Sequence, residues 1–111
     1  MVWQKSIELT VQIYQLTALF PTDERFGLTS QMRRSAVSIA SNIAEGSRRN
    51  TRKDFRHFIA VAYGSGAELE TQLIIANQLK LTKPTDINAA EKLLGEIMKM
   101  LNKLLSIFNE S

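Results

Sequence analysis

No cysteine occurs in the 111 residues, only one histidine (His57) is present, and the backbone punctuators number five glycines and two prolines. The first absence excludes disulfide frameworks, thiolate metal sites and cysteine nucleophiles, and it is compatible with a reducing compartment. A single histidine leaves little for metal or acid–base chemistry. No apolar run approaches the ~18 to 20 residues that span a bilayer, and Met1-Val2-Trp3-Gln4-Lys5 lacks the basic-then-apolar layout of a signal peptide. The expectation is a cytoplasmic protein with no membrane contact. Because glycine and proline cluster between periodic segments, the chain divides into a few long helices and no sheet is expected.

What is present is enough apolar side chain, 44%, for one compact core in a chain of this length. The net charge of +3 is modest, but it is unevenly spread. Eight of the fourteen basic residues fall between Arg25 and Arg56, where the only acids are Glu45 and Asp54.

Projected at ~100° per residue, the segment 2–19 carries two apolar stripes. Val2, Leu9, Ile13, Leu16 and Phe20 form one; Trp3, Ile7, Val11, Tyr14 and Ala18 form another, nearly opposite. A helix in a small bundle needs one buried stripe, so the second calls for another surface, most simply a neighbouring subunit. The wide apolar stripe of the last helix is a candidate to receive it. A second helix is expected over about 29–46, capped by Thr29 or Ser30 and ended by Gly46, with Leu28, Met32, Ala36, Ile39 and Ile43 facing the core. A third, about 51–80, starts at the Thr51/Asp54 pair, which approximates a capping box, and places Phe55, Phe58 or Ile59, Ala62, Gly66, Leu69, Leu73 and Ala76 inward. Gly64 and Gly66 in its middle imply close packing or a bend. The fourth, about 86–108, is capped by Thr85 or Asp86 and has Ile87, Ala90, Leu94, Ile97, Leu101, Leu104 and Phe108 in heptad-like alternation. Four helices with short links predict an all-α fold, a single antiparallel up-down four-helix bundle spanning 1–111.

The segments Phe20-Pro21, Glu24 to Gln31, Arg33 to Ile39 and Asn42-Ile43-Ala44-Glu45-Gly46, followed by Gly64-Ser65, Glu68-Leu69-Glu70 and Leu73, resemble the four-helix bundle family of the 23S rRNA intervening-sequence protein. The likeness runs from the end of the first helix through the third; the fourth matches in apolar pattern alone. The resemblance implies a cytosolic bundle that assembles as a ring-like homopentamer. It also implies kinship with the basic accessory protein of diversity-generating retroelements, a partner of nucleic acid and reverse transcriptase. No catalytic residues accompany it.

The chain's own chemistry centres on Arg48, Arg49, Arg52, Lys53 and Arg56, with Arg33 and Arg34 upstream. Arg52 and Lys53 open a helix, where the macrodipole favours acids, and a bound phosphate would relieve that conflict. The bland alternative is a solvated basic turn paired with Glu45 and Asp54. Glu45, Glu68 and Glu70 lack the Glu-x-x-His pattern of carboxylate-bridged bundle metals, and Ser38 and Ser41 have no histidine base at hand. No catalytic, metal or cofactor site is therefore assigned. Asn42 is expected to bridge helices, and Trp3 and Tyr14 to serve an interface or the core rather than to stack on bases. The reading is a non-catalytic oligomeric binding or scaffold protein that contacts RNA or DNA through Arg33, Arg34, Arg48, Arg49, Arg52, Lys53 and Arg56. It self-associates through Trp3, Ile7, Val11 and Tyr14, with room for a further protein partner. The alternatives are a purely structural or protein-interaction oligomer and, behind it, an enzyme using inter-helix carboxylates.

Overall fold

A computed structural model describes residues 1–108. Helices α1 (Val2–Thr17), α2 (Leu28–Ser47), α3 (Arg52–Gln78) and α4 (Pro84–Ile107) follow one another, with a short 3₁₀ turn at Thr22–Glu24, and no strand occurs among the described residues. Each helix packs on its sequence neighbours, and α4 closes the square against α1. The cross-links give the directions. Thr10 of α1 donates to the Ala36 carbonyl of α2 and Arg33 of α2 to Thr17 of α1. Ser35 and Ser38 of α2 meet Glu68 and Ser65 of α3, and Lys5 of α1 meets Glu96 of α4. In the α1–α2 and α2–α3 pairs advancing along one helix means retreating along the other, and Phe55 and Gly66 of α3 facing Phe108 and Met98 at the end of and within α4 continue the rule, so successive helices are antiparallel. It measures 46 × 22 × 19 Å, consistent with a 27-residue α3 rising ~1.5 Å per residue.

One stripe of α1 supplies the core: Leu9, Ile13 and Leu16, with Phe20 in the turn beyond it, are buried against Met32, Ile39, Ile59, Leu73, Leu94 and Leu101 of the other helices. The narrow polar gap of α1 faces α2. There Ser6, Thr10 and Thr17 return their hydroxyl protons to carbonyls of their own helix at 2.6–2.8 Å, so close packing leaves no donor stranded.

The helix ends differ from expectation in instructive ways. α1 stops at Thr17 rather than Leu19, because the Leu19 and Phe20 amides bond three residues back as the chain tightens before Pro21. α2 begins at Leu28, with Gly27 in the cap position and no side-chain cap, so Thr29 and Ser30 already lie inside the first turn. Gly46 does not end α2. It is buried within the helix, and a Cβ there would stand 3.0 Å from Phe58 Cβ, so its role is close helix approach. Thr51 caps α3 as expected, accepting from the Asp54 amide at 3.1 Å. α3 ends at Gln78 through a Schellman closure: the Leu81 amide reaches the Ala76 carbonyl, and Lys80 takes φ 55° in the left-handed region. α4 starts two residues before Asp86, with Pro84 in its first turn, where a missing N–H costs nothing and the fixed φ suits a helix.

Candidate nucleic-acid interface and self-association face

The turn between α2 and α3 brings Arg48, Arg49, Arg52, Lys53 and Arg56 to one end of the bundle, all but half-buried Arg56 exposed. Two guanidinium groups rest on aromatic rings: Arg49 lies 4.8 Å from the Phe58 centroid and Arg52 5.7 Å from that of Phe108, which itself meets Phe55 edge-on at 5.0 Å. His57 also lies edge-on to Phe58, at 5.1 Å. Arg49 pairs with Glu45 one turn back, the one ion pair of this cluster among the described residues. The Arg56 Nε is buried without an acceptor among them. A guanidinium stacked on a ring keeps its donor edge free and gives up less rotamer freedom on meeting a phosphate. Arg52 and Lys53 occupy the first turn of α3, whose partial positive charge is met there by Asp54 alone. The end therefore offers several oriented cations with a single carboxylate partner, an arrangement suited to phosphate oxygens.

Arg33 and Arg34 are not part of this cluster. Fourteen residues of helix separate Arg34 from Arg48, about 21 Å at ~1.5 Å per residue, and they lie toward the other end. Arg33 is turned inward: its Nε donates to Thr17 Oγ1 at 2.9 Å, its Nη2 to the Tyr14 carbonyl at 3.3 Å, and its guanidinium lies 4.5 Å from the Tyr14 centroid. Arg34 is exposed. A basic face missed in the sequence reading lies on α4, where Lys92, Lys99 and Lys103 recur at intervals of seven and four and are all exposed. That helical spacing was the available signal. Among them, Glu96 accepts from Lys5 Nζ at 3.0 Å, and this hydrogen bond and charge, with Lys92 and Lys99 adding to it, lower the Glu96 pKa.

The second stripe of α1 is in water. Trp3, Ile7, Val11 and Tyr14 are 45%, 42%, 52% and 43% exposed, and Val37 of α2 continues the apolar surface. On the far side of α1, Met100, Leu104 and Ile107 of α4 with Met1 and Val2 line an apolar groove of about 370 Å³. Leu93, next to Leu94 on α4, is buried and widens the core stripe of that helix. The carboxylates do not converge: Glu45 serves Arg49, Glu68 accepts from Ser35, and Glu70 is exposed. No cluster of three or more His, Cys, Asp or Glu placed to hold a metal ion occurs among the described residues. Asn42 bonds Ser38 of its own helix, and Ser38 makes the bridge to α3 through Ser65 at 2.8 Å, so the inter-helix role expected of Asn42 belongs to Ser38. No helix among the described residues is long and apolar enough to cross a membrane.

The family model described as 23S rRNA-intervening sequence protein matches residues 1–103. A crystal structure of a protein with unknown function from the S23 ribosomal protein family of Bacteroides thetaiotaomicron VPI-5482 is similar at a TM-score of 0.88 and 25% identity, over 95% of this chain and 98% of that one. No curated protein matches the chain.

Proposed function

We propose that this chain, which belongs to the 23S rRNA-intervening sequence protein family, is a non-catalytic, self-associating binding protein of the cytoplasm that holds RNA or DNA by its phosphates. The observation that carries the reading is the end of the bundle where Arg48, Arg49, Arg52, Lys53 and Arg56 meet, two of them stacked on aromatic rings and one carboxylate paired among them. One such end binds weakly. Repeated around a ring, its copies engage one polymer together, and affinity grows by effective concentration without any new contact. The exposed α1 stripe supports self-association, and the family resemblance supports five copies.

Fluorescence polarisation of labelled structured RNA and duplex DNA at several salt concentrations tests this. The expected result is binding whose logarithm falls linearly with the logarithm of salt, by roughly 0.9 per phosphate neutralised on duplex DNA. Absence of binding at low salt would refute it. The second reading, a structural or protein-interaction oligomer without nucleic-acid affinity, is favoured by the same apolar stripe and would then stand.

A further inference from the structure

Between α1 and α2, at the end away from the Arg48 cluster, lies an open groove of about 590 Å³. Tyr14 and Val37, at the edge of the proposed self-association face, form one wall, Arg25, Phe26, Arg33 and Arg34 line the rest, none of its lining residues is acidic, and Thr29 and Ser30 add hydroxyls. Phe26 is 90% exposed in the turn before α2, with the Arg25 guanidinium 5.6 Å from its centroid. Across the groove Arg33 is fixed against Tyr14 by the two hydrogen bonds described above. An almost fully hydrated phenylalanine beside one guanidinium, in a groove lined by two more, is a poor use of apolar surface unless something flat and anionic covers it.

We infer that this groove seats an unpaired nucleotide, its base stacked on Phe26 and its phosphate held by Arg25 and Arg34, so that the preferred nucleic acid is single-stranded. The inference rests on the nucleic-acid reading above and narrows it. A duplex hides the faces of its bases, whereas a single strand offers each face for stacking on aromatic or guanidinium planes, a sequence-tolerant contribution of ~1–3 kcal/mol per base. The volume suits one nucleotide, since ligand sites run from roughly 300 to 1,000 Å³. Arg33, already committed to Tyr14 and Thr17, serves as wall, while exposed Arg34 and Arg25 remain available to phosphate oxygens.

The test is polarisation of the full chain with labelled oligo-A, in ribose and deoxyribose forms, a duplex of equal length, and poly-glutamate. Tighter binding of at least one single strand than of the duplex is expected. Phe26→Ala should weaken single-strand binding roughly tenfold while leaving duplex binding and the salt slope in place, and Phe26→Trp should restore it. Nucleic-acid binding that ignores Phe26→Ala, that favours the duplex, or that poly-glutamate matches would overturn this inference while leaving the phosphate reading standing. Failure to bind any nucleic acid would overturn both.

Discussion

Gly64 and Gly66 sit two residues apart on α3 and answer to different demands. A methyl group at Gly64 would meet nothing within 4 Å, whereas at Gly66 it would overlap Met98 Sδ. Gly64→Ala should therefore stabilise the bundle by about 1 kcal/mol through helix propensity. Gly66→Ala gains the same term but must turn the flexible thioether end of half-buried Met98 aside, which offsets part of it, so its gain should be the smaller of the two. Urea midpoints measure both, and a gain at Gly66 equal to or larger than that at Gly64 would contradict the packing account. In the sequence both glycines imply close packing or a bend alike, because a glycine letter carries no record of its neighbour across the helix pair. For the same reason Gly46 looked like a terminator. Glu96 supplies a pH signature. Its pKa is lowered by Lys5, so the contribution of the pair is present above the ordinary carboxylate range and is lost as pH falls through the lowered folded value. Lys5→Met should move the Glu96 carboxyl titration, followed by NMR, upward toward that range, with little effect on stability because the pair is exposed.

At the scale of elements, α1 was the most legible helix. Its two stripes are separable by period alone, and Leu9, Ile13 and Leu16 are buried while Trp3, Ile7, Val11 and Tyr14 are not. Which stripe faces inward was not readable, since both are apolar and the choice depends on what α2 and α4 present. Replacing Ile7 and Val11 by Glu places charge on a face the subunit itself does not bury, so each chain should keep its helical circular dichroism. Light scattering should show the assembly falling apart, because an unpaired charge in an apolar contact is strongly unfavourable. An unchanged assembly would move the interface elsewhere, for instance to Ile74, Ile75 and Leu79 on α3, which are also exposed. The starts of α2 and α4 were misplaced by one or two residues, since a favourable cap residue such as Thr29 or Thr85 competes with Gly27 geometry and with proline in the first turn. Arg33 and Arg34 illustrate the same limit in the candidate site. Adjacent in sequence, they diverge by a helical step of ~100°, which sends one onto Tyr14 and leaves the other in water.

Across the whole molecule, charge was read along the chain when it needed to be read around the helices. The Arg48 to Arg56 cluster was visible because a turn keeps sequence neighbours together. The Lys92, Lys99 and Lys103 face was not, because its members are spread through α4 and become neighbours only when the helix is wound. The aromatic partners of the cluster, Phe58 and Phe108, were read as core residues, and they are half-buried where their rings meet Arg49 and Arg52. Beside the Arg25–Arg34 groove, which is assigned to a single strand, the molecule thus carries two further positive surfaces, and the account assigns duplex phosphate contact to the arginine end alone. The direct measurement is the salt dependence of duplex DNA binding by two variants that each remove three positive charges: Arg48, Arg49 and Arg52 to Gln, and Lys92, Lys99 and Lys103 to Gln. The arginine variant should lose about 3 from the slope of log K against log salt, close to one per lost phosphate contact, and the lysine variant should keep the original slope. Equal losses in the two variants, or none in the arginine variant, would contradict the account.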